Sequence, residues 1–205
     1  KGCNVIFYGP PGTGKTFAAK IFAQQVKADF KAIQSGELIK GIVGESEKKI
    51  RELFKWLRSS PSAVLFIDEA ENLLASRNFI KQEHNLSIVN QFLSELDGFN
   101  EISRGRYAVI ISTNYLERLD EAVLSRFGRK IYFPLPNAEE REKIFIVKLK
   151  NVPISGKINY KELSKLTEGM SGRDIENIID EAKERAIINN RDYIVFEDLI
   201  SSFKF

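Results

Sequence analysis

Cysteine and histidine are nearly absent from this 205-residue sequence, which contains one of each, Cys3 and His84. A single cysteine cannot close an internal disulfide, which fits the cytoplasm or another reducing compartment. No group of cysteines and histidines has the spacing of a zinc site, so a zinc module is not indicated. His84 lies in a polar stretch, and we interpret it as a loop residue rather than a ligand.

Long apolar runs and a strong excess of charge are also missing. No run approaches the ~20 apolar residues that a membrane-spanning helix requires. Basic residues number 31 and acidic residues 28, for a net charge of +3, and this balance argues against a nucleic-acid or membrane-binding surface. Because the chain starts at Lys1 rather than methionine, we expect an excised segment, which leaves an upstream membrane anchor or adaptor domain open.

Residues 9–16 carry the most informative motif of the chain. They read Gly-Pro-Pro-Gly-Thr-Gly-Lys-Thr and match the phosphate-binding pattern G-x-x-x-x-G-K-[ST]. An apolar run typical of a buried strand precedes them, and a run typical of a helix follows. In this context backbone N–H groups surround phosphate oxygens. We expect Lys15 to reach the β- and γ-phosphates and the Thr16 hydroxyl to bind Mg²⁺. The residues expected to bind ATP or ADP here are Gly9, Pro10, Pro11, Gly12, Thr13, Gly14, Lys15, Thr16 and Phe17.

Short apolar runs alternate with helical periodicity up to residue 135, which predicts an α/β fold with a mostly parallel sheet and crossover helices. The expected strands are Val5–Tyr8, Phe30–Gln34, Ala63–Asp68, Tyr107–Thr113 and Lys130–Phe133. Apolar stripes predict two amphipathic helices, one with Ile50, Leu53, Phe54 and Leu57, the other with Val89, Phe92, Leu93 and Leu96.

Only helical signals follow the Pro-Leu-Pro segment at residues 134–136. One apolar stripe consists of Ile175, Ile178, Ile179 and Ala182, and the preceding residues 171–174 have the pattern of a capping box. The sequence therefore predicts an α/β core with a five-stranded sheet over residues 1–135 and a small all-helical domain over residues 136–205.

Acidic and polar side chains are expected at the carboxyl ends of two strands, where ligands bind in doubly wound sheets. We expect Asp68 to orient Mg²⁺ through its water shell, and Glu69 to stand where a water could attack the γ-phosphate. The alternative for this pair is an ordinary strand followed by an acidic helix start. Asn114 could hydrogen-bond the attacking water or the γ-phosphate, although asparagine also ends strands as a turn former.

Several further stretches, together with the phosphate loop, resemble the AAA ATPases of the wider AAA+ superfamily in their order and spacing. They are Gly44–Glu47, Phe66–Ala70, Leu96–Gly98, Ser112–Asn114, Ser125–Arg129, Phe133–Pro136 and Gly169–Asp174. The resemblance covers essentially the whole chain and extends to the valosin-containing unfoldase, the proteasomal ATPases and the katanin, spastin and endosomal-sorting group. It implies a P-loop NTPase core followed by a helical lid domain.

The resemblance also implies roles for individual residues. Glu69 looks like the general base of ATP hydrolysis and Asn114 like the first sensor. Arg126 and Arg129 look like paired arginine fingers that reach the nucleotide of a neighbouring subunit. A guanidinium suits the equatorial oxygens of a transferring phosphoryl group. Without the resemblance, both arginines would be interpreted as surface charges on a loop.

Two parts of the chain depart from the family pattern. Gly172 and Arg173 resemble the lid segment that touches the nucleotide, where relatives place a small residue instead of Arg173. In the loop ahead of the Gly-Glu-Ser-Glu stretch, relatives grip polypeptide with an aromatic residue, whereas this chain has Ile42 followed by Val43. We expect pore contact to be shared with Phe79 of a second loop, and packing of Phe79 under its own loop is the alternative.

We therefore expect a Mg²⁺-dependent ATPase that forms a head-to-tail homo-oligomer, because an arginine acting in trans needs a heterologous interface. The hexameric ring is carried over from the family, as is a protein substrate or adaptor of unspecified identity. Two alternatives stay open. One is a nucleic-acid-associated motor or loader, and the other is a nucleotide-binding scaffold of low turnover.

Overall fold

The computed structural model describes residues 3–39, 44–76, 83–102 and 107–201. The described residues fall into two compact units. The first contains the chain up to Gly9 and the segment Gly14–Phe133, and the second contains Pro10–Thr13 and the chain from Pro134 onward. None of the described helices is both long enough and apolar enough to cross a membrane.

The first unit is built on a parallel sheet, which within the described residues has five strands in the order β2-β3-β4-β1-β5. The strands are β1 (Cys3–Tyr8), β2 (Asp29–Gln34), β3 (Ala63–Asp68), β4 (Tyr107–Thr113) and β5 (Arg129–Tyr132). Neighbouring strands pair in parallel, with Ile6 of β1 opposite Ile111 of β4. The predicted α/β fold with a five-stranded sheet is confirmed.

Helices follow most strands of the first unit, as crossover connections between parallel strands require. They are α1 (Lys15–Gln25), α2 (Ser35–Leu38), α3 (Glu45–Ser59), α4 (Glu83–Ile102) and α5 (Glu121–Arg126), with short 3₁₀ turns at Ala70–Asn72 and Leu116–Arg118. His84 lies in the first turn of α4, so its interpretation as a loop residue is wrong.

Strand β3 shows why the sheet is buried on both faces. Its residues alternate in direction, as in any strand. Leu65 and Ile67 join the core that contains the apolar stripes of α3 and α4, while Val64 and Phe66 pack in the core that contains Ala19 of α1. Such a strand reads as an unbroken apolar run, because neither face meets water.

Helices α3 and α4 cover one face of the sheet with the predicted apolar stripes. All eight stripe residues are buried, from Ile50 to Leu57 on α3 and from Val89 to Leu96 on α4. Phe54 and Phe92 meet edge to face across the two helices, with ring centroids 5.6 Å apart. Aromatic pairs of this geometry add specificity to the helix packing.

The second unit, from Pro134 onward, contains the helices α6 (Ala138–Leu149), α7 (Tyr160–Leu166), α8 (Gly172–Ile188) and α9 (Phe196–Ile200). The predicted stripe of α8 packs against Phe145 of α6, Leu163 of α7 and Leu199 of α9 in one core. The expected capping box is present: the Asp174 N–H donates to Ser171 Oγ, and the Ser171 N–H donates to the Asp174 carboxylate. The helical character predicted for this region is confirmed.

A buried carboxylate, that of Asp198, lies in α9 of the second unit. The Asp198 side chain accepts both terminal nitrogens of Arg191 at 2.8 Å and the Val195 N–H at 2.9 Å. The hydrogen-bonded Arg191 guanidinium lowers the pKa of Asp198, assisted by the Val195 N–H and opposed by burial. The pKa of Asp198 is lower in the folded than in the unfolded state, so the ionised carboxylate and its hydrogen bonds stabilise the fold at neutral pH. This stabilisation is lost as the pH falls through the folded pKa.

We predict that Asp198→Asn lowers the Tm of the protein at pH 7, because asparagine cannot accept the paired bonds from Arg191 as an anion. A protein of this size loses about 2–4 °C for each kcal/mol. The Tm difference between parent and variant should shrink when the scan is repeated at decreasing pH, because only the parent titrates. The exposed Asp192, replaced by asparagine, is the control. A Tm difference independent of pH would contradict the ionic role of Asp198.

Candidate active site

The loop at residues 9–16 joins the carboxyl end of β1 to the start of α1. Gly9 has a φ of 137° and donates its N–H to the Thr113 carbonyl at the end of β4. A Cβ atom at this position would lie 2.2 Å from the carbonyl oxygen of Phe133, a distance that real Cβ atoms do not reach. The first glycine of the motif is therefore required both by the backbone angle and by the close approach of a second chain segment.

Lys15 is the first residue of α1, and the residue is 7% exposed. Its ammonium donates to the Gly9 carbonyl at 2.8 Å and to Asn114 Oδ1 at 2.9 Å. Two residues that the sequence assigned separately to phosphate binding and sensing are thus in direct contact. The contact exists because β1 and β4 are adjacent parallel strands, and their carboxyl ends therefore lie side by side.

Asp68, at the end of β3, is the acceptor of several hydrogen bonds. The Thr16 hydroxyl donates to Asp68 Oδ2 at 2.8 Å, and the Ser112 hydroxyl donates to Asp68 Oδ1. The Glu69 N–H donates to the same Oδ1 at 3.0 Å. The carboxylate is therefore fixed from α1, from β4 and from its own turn. Ser112 was not assigned a role from the sequence, because its only signal is its position beside Asn114.

The oxygen atoms of Thr16 and Asp68 form a donor set that suits Mg²⁺. Magnesium binds oxygen ligands, and in nucleotide sites it is usually held by one or two protein groups together with waters and substrate phosphates. A hydroxyl and a carboxylate in direct contact at the end of the phosphate loop meet this description. The two residues assigned to the metal from the sequence are thus adjacent in the structure.

Glu69 follows Asp68 and occupies the left-handed region, with φ 53° and ψ 44°. This conformation costs a non-glycine residue about 1–2 kcal/mol. Its side chain is exposed, and Glu69 Oε2 accepts a long hydrogen bond of 3.4 Å from the Asn72 amide. The turn therefore directs a carboxylate away from the protein core directly beside the proposed metal ligand.

Glu71 is a buried residue near the site that the sequence did not indicate. Its Oε1 accepts the Asn114 N–H at 3.4 Å, and its Oε2 has no hydrogen-bond partner among the described residues. The backbone of Asn114 thus faces one carboxylate while its side chain faces Lys15. In the sequence, Glu71 is indistinguishable from a solvated acidic residue of the following turn.

Arg126 and Arg129 have different surroundings. The Arg126 side chain, in the last turn of α5, makes a forked contact with the Asp97 carboxylate through Nε and Nη2, and its Nη1 donates to the Ala122 carbonyl. Asp97 raises the pKa of Arg126, and Arg126 lowers the pKa of Asp97. Arg129 begins β5 and is exposed. The sequence motif predicted a paired role for the two arginines, but it did not indicate that Asp97 binds Arg126.

Gly12 is a tight contact within the second unit. It has a φ of 72°, and a Cβ atom there would lie 2.4 Å from Ser171 Oγ and 2.8 Å from the Cβ of Arg173. Gly172 lies next to it as well, since a Cβ on Gly172 would be 3.3 Å from the Gly12 carbonyl oxygen. Gly172 and Arg173, assigned to the nucleotide by resemblance, thus lie beside a glycine of the phosphate loop.

The remaining assigned residues are distributed as follows. Phe17 is 68% exposed on α1. In the phosphate loop, the Thr13 hydroxyl donates to the Pro10 carbonyl at 2.9 Å and closes a local turn. The pore-loop candidates Ile42, Val43 and Phe79 lie outside the described residues, so their assignment stays a prediction.

Two family models match the chain. The model described as "ATPase family associated with various cellular activities (AAA)" matches residues 5–135. The model described as "AAA+ lid domain" matches residues 157–201. The crystal structure of the FIGL-1 AAA domain in complex with ADP is similar, with a TM-score of 0.85 and 32% identity. That similarity covers 98% of this chain and 70% of the other.

Curated relatives with similar sequences are known from archaea. A 26S proteasome regulatory subunit homologue of Methanocaldococcus jannaschii is 43% identical over 96% of this chain and 53% of its own length. The proteasome-activating nucleotidase 1 of Haloferax volcanii is 36% identical over 98% of this chain and 50% of its own length. The cell division cycle protein 48 homologue of Archaeoglobus fulgidus is 40% identical over 90% of this chain and 25% of its own length. The chain spans about half the length of the first two relatives.

We predict that Gly9→Ala destabilises the protein by more than about 1 kcal/mol, because the new Cβ meets a backbone carbonyl and the φ is unfavourable for alanine. Gly98→Ala is the matched control: it lies inside α4, and a Cβ there meets nothing within 4 Å. Replacing a glycine inside a helix should stabilise by roughly 0.5–1 kcal/mol. Urea unfolding of both variants measures the difference, and equal effects would contradict the steric argument.

Proposed function

The chain belongs to the AAA family of ATPases, and we propose that it hydrolyses ATP in a Mg²⁺-dependent reaction that drives the unfolding or remodelling of other proteins. One observation carries this proposal: direct hydrogen bonds join Lys15 to Asn114 and Thr16 to Asp68 at one edge of the sheet. A buried ammonium, a hydroxyl in contact with a carboxylate, and an exposed carboxylate lie at or next to neighbouring strand ends. Phosphoryl transfer to water requires groups of these kinds.

In the proposed reaction, residues of this chain position the phosphates and activate the attacking water. Lys15 binds the β- and γ-phosphates, and Asn114, which it contacts, hydrogen-bonds the attacking water or the γ-phosphate. Glu69 accepts a proton from that water while the water oxygen forms a bond to the γ-phosphorus. The bond between the γ-phosphorus and the bridging oxygen, which stays with ADP, breaks. Thr16 and Asp68 would hold Mg²⁺, which would supply positive charge opposite the phosphate oxygens.

We further propose that the chain acts in a homo-oligomeric ring, hexameric as in the family. Arg129 is exposed in β5, and Arg126 is held by the Asp97 carboxylate. These positions support the proposal that the two arginines donate to the nucleotide of a partner subunit. In this arrangement, one subunit contributes its arginines and the neighbouring subunit contributes its nucleotide site, so the two contacting surfaces differ. Contact between them is heterologous, and such contacts close into a ring where the rotation between successive subunits closes.

The named relatives support a protein substrate over the nucleic-acid alternative. Two of them are named for the proteasome, as a regulatory subunit homologue and as an activating nucleotidase. The nearly balanced charge of this chain, +3 overall, offers no strong electrostatic attraction for a polyanion. We propose a polypeptide or protein complex as the substrate, delivered directly or through an adaptor.

We predict that Glu69→Gln keeps ATP binding and reduces turnover by about 10²-fold or more, because it removes the base without removing a phosphate contact. Lys15→Ala should instead weaken ATP binding itself, since the ammonium is the phosphate ligand. Binding is measured by titration with a fluorescent ATP analogue and turnover by phosphate release. Glu52→Gln, on an exposed position of α3, is the control and should behave as the parent. A Glu69→Gln variant with parental turnover would exclude Glu69 as the base, and a slow parental rate in the same assay would favour a scaffold of low turnover.

Action of the arginines in trans predicts complementation between subunits. Arg126→Ala or Arg129→Ala alone should reduce turnover of the full-length protein by about 10³-fold or more if it behaves as an arginine finger. Mixing either variant with Glu69→Gln should restore part of the activity, because some interfaces then combine an intact base with intact arginines. Mixing Glu69→Gln with Lys15→Ala is the control, since both defects lie on the same side of the interface. Recovery in the control, or none in co-assembled arginine mixtures, would argue against action in trans.

A further inference from the structure

Ser35 is a fully buried polar residue that the proposed reaction does not use. It is the first residue of α2, and its exposed fraction is 0%. Its hydroxyl lies 2.6 Å from the carbonyl oxygen of Asp68 and 2.7 Å from that of Glu69. A serine hydroxyl has one proton, so this single donor is shared between two successive backbone carbonyls.

The backbone of Glu69 explains why the two carbonyls converge. Successive carbonyls of an extended strand point in opposite directions. The left-handed conformation of Glu69, with φ 53° and ψ 44°, turns its carbonyl to the same side as that of Asp68. Non-glycine residues adopt this conformation only where the surroundings determine it. The Ser35 hydroxyl is one such determinant, and the Asn72 N–H, which donates to the Glu69 carbonyl at 3.0 Å, is another.

The register of the sheet accounts for the position of Ser35. Gln34, the last residue of β2, is paired with Asp68, the last residue of β3. Ser35 and Glu69 directly follow these two strand ends, which brings the Ser35 hydroxyl to the Glu69 carbonyl. An alanine at position 35 would leave the two carbonyls without this donor.

We propose that Ser35 is a positioning residue for Glu69: its hydroxyl holds the left-handed turn that aims the Glu69 carboxylate at the attacking water. The inference rests on the proposed role of Glu69 as the base. The direction of the Cα–Cβ bond of Glu69 is set by its φ and ψ, so relaxation of the turn moves the carboxylate as a whole. Displacement of a catalytic group by about 1 Å can reduce the rate by roughly 10²-fold.

The first test is steady-state kinetics of Ser35→Ala in the full-length protein. We expect kcat to fall by about 10- to 100-fold, with KM and the Kd for ATP within about twofold of the parent, because no phosphate contact is lost. Ser35→Thr keeps the hydroxyl and should recover most of kcat. Ser60→Ala is the matched control, because the Ser60 hydroxyl is also buried and also donates to a backbone carbonyl, that of Trp56, at 3.1 Å. It should leave kcat unchanged.

The second test combines Ser35→Ala with Glu69→Gln and measures single-turnover hydrolysis. If Ser35 acts through Glu69, the second substitution adds nothing to the residual rate of Glu69→Gln. A further loss in the double variant would overturn the inference, as would parental kcat in Ser35→Ala or a loss confined to ATP binding. Ser35→Cys preserves the side-chain size with a weak donor, so it tests the same point if the alanine variant does not fold. Parental kcat in Ser35→Cys would likewise overturn the inference.

These outcomes separate the two proposals. Parental turnover in Glu69→Gln refutes the base, whatever Ser35 does. An inactive Glu69→Gln beside a fully active Ser35→Ala keeps the base and refutes only the positioning role.

Discussion

The buried ammonium group of Lys15 is the constraint on which the site depends. A charge taken out of water destabilises a fold unless polar groups replace the lost hydration. The replacements come from the Gly9 carbonyl, directly after β1, and from the Asn114 side chain, directly after β4. Only parallel neighbours bring two carboxyl ends together at one edge of a sheet. The strand order of this sheet is therefore a requirement of the site as well as a solution for the core.

Asp68 provides a negative charge beside this positive one, and β4 connects the two. Ser112, on β4, donates to the Asp68 carboxylate from one side, and Asn114, two residues later, accepts from Lys15. A fixed cation and a fixed anion at adjacent strand ends suit a ligand that itself combines anionic phosphates with a metal cation. The same carboxylate accepts the N–H of Glu69, so the charged site and the strained turn share one atom, Asp68 Oδ1.

Local patterns predicted the elements of the fold well, since a strand or helix leaves its period in consecutive residues. The bounds were less accurate: β1 starts at Cys3 rather than Val5, and β5 covers Arg129–Tyr132 rather than residues 130–133. Strand ends are decided by pairing with a neighbour, which a single apolar run does not reveal.

Contacts between residues distant in the chain were missed for a related reason. Arg126 meets Asp97 across 29 residues, and Ser112 meets Asp68 across 44. Nothing in the spacing of such residues distinguishes a bound pair from two solvated side chains. Ser35 was missed because its significance arises only from the register between β2 and β3 and from the left-handed turn at Glu69. The motif residues of the phosphate loop were found because their chemistry is carried by one continuous segment.

The different surroundings of the two arginines bear on how they would meet a neighbouring nucleotide. Arg126 is already ordered by Asp97, so it loses little conformational freedom when it contacts a phosphate. The same carboxylate reduces the attraction of Arg126 for a second anion, because opposite charges in contact screen each other at longer range. Arg129 is exposed and has no ion-pair partner among the described residues, but its side chain must be ordered on contact. Within the proposed ring, Arg126 would therefore supply orientation and Arg129 most of the attraction, so the two positions are not interchangeable.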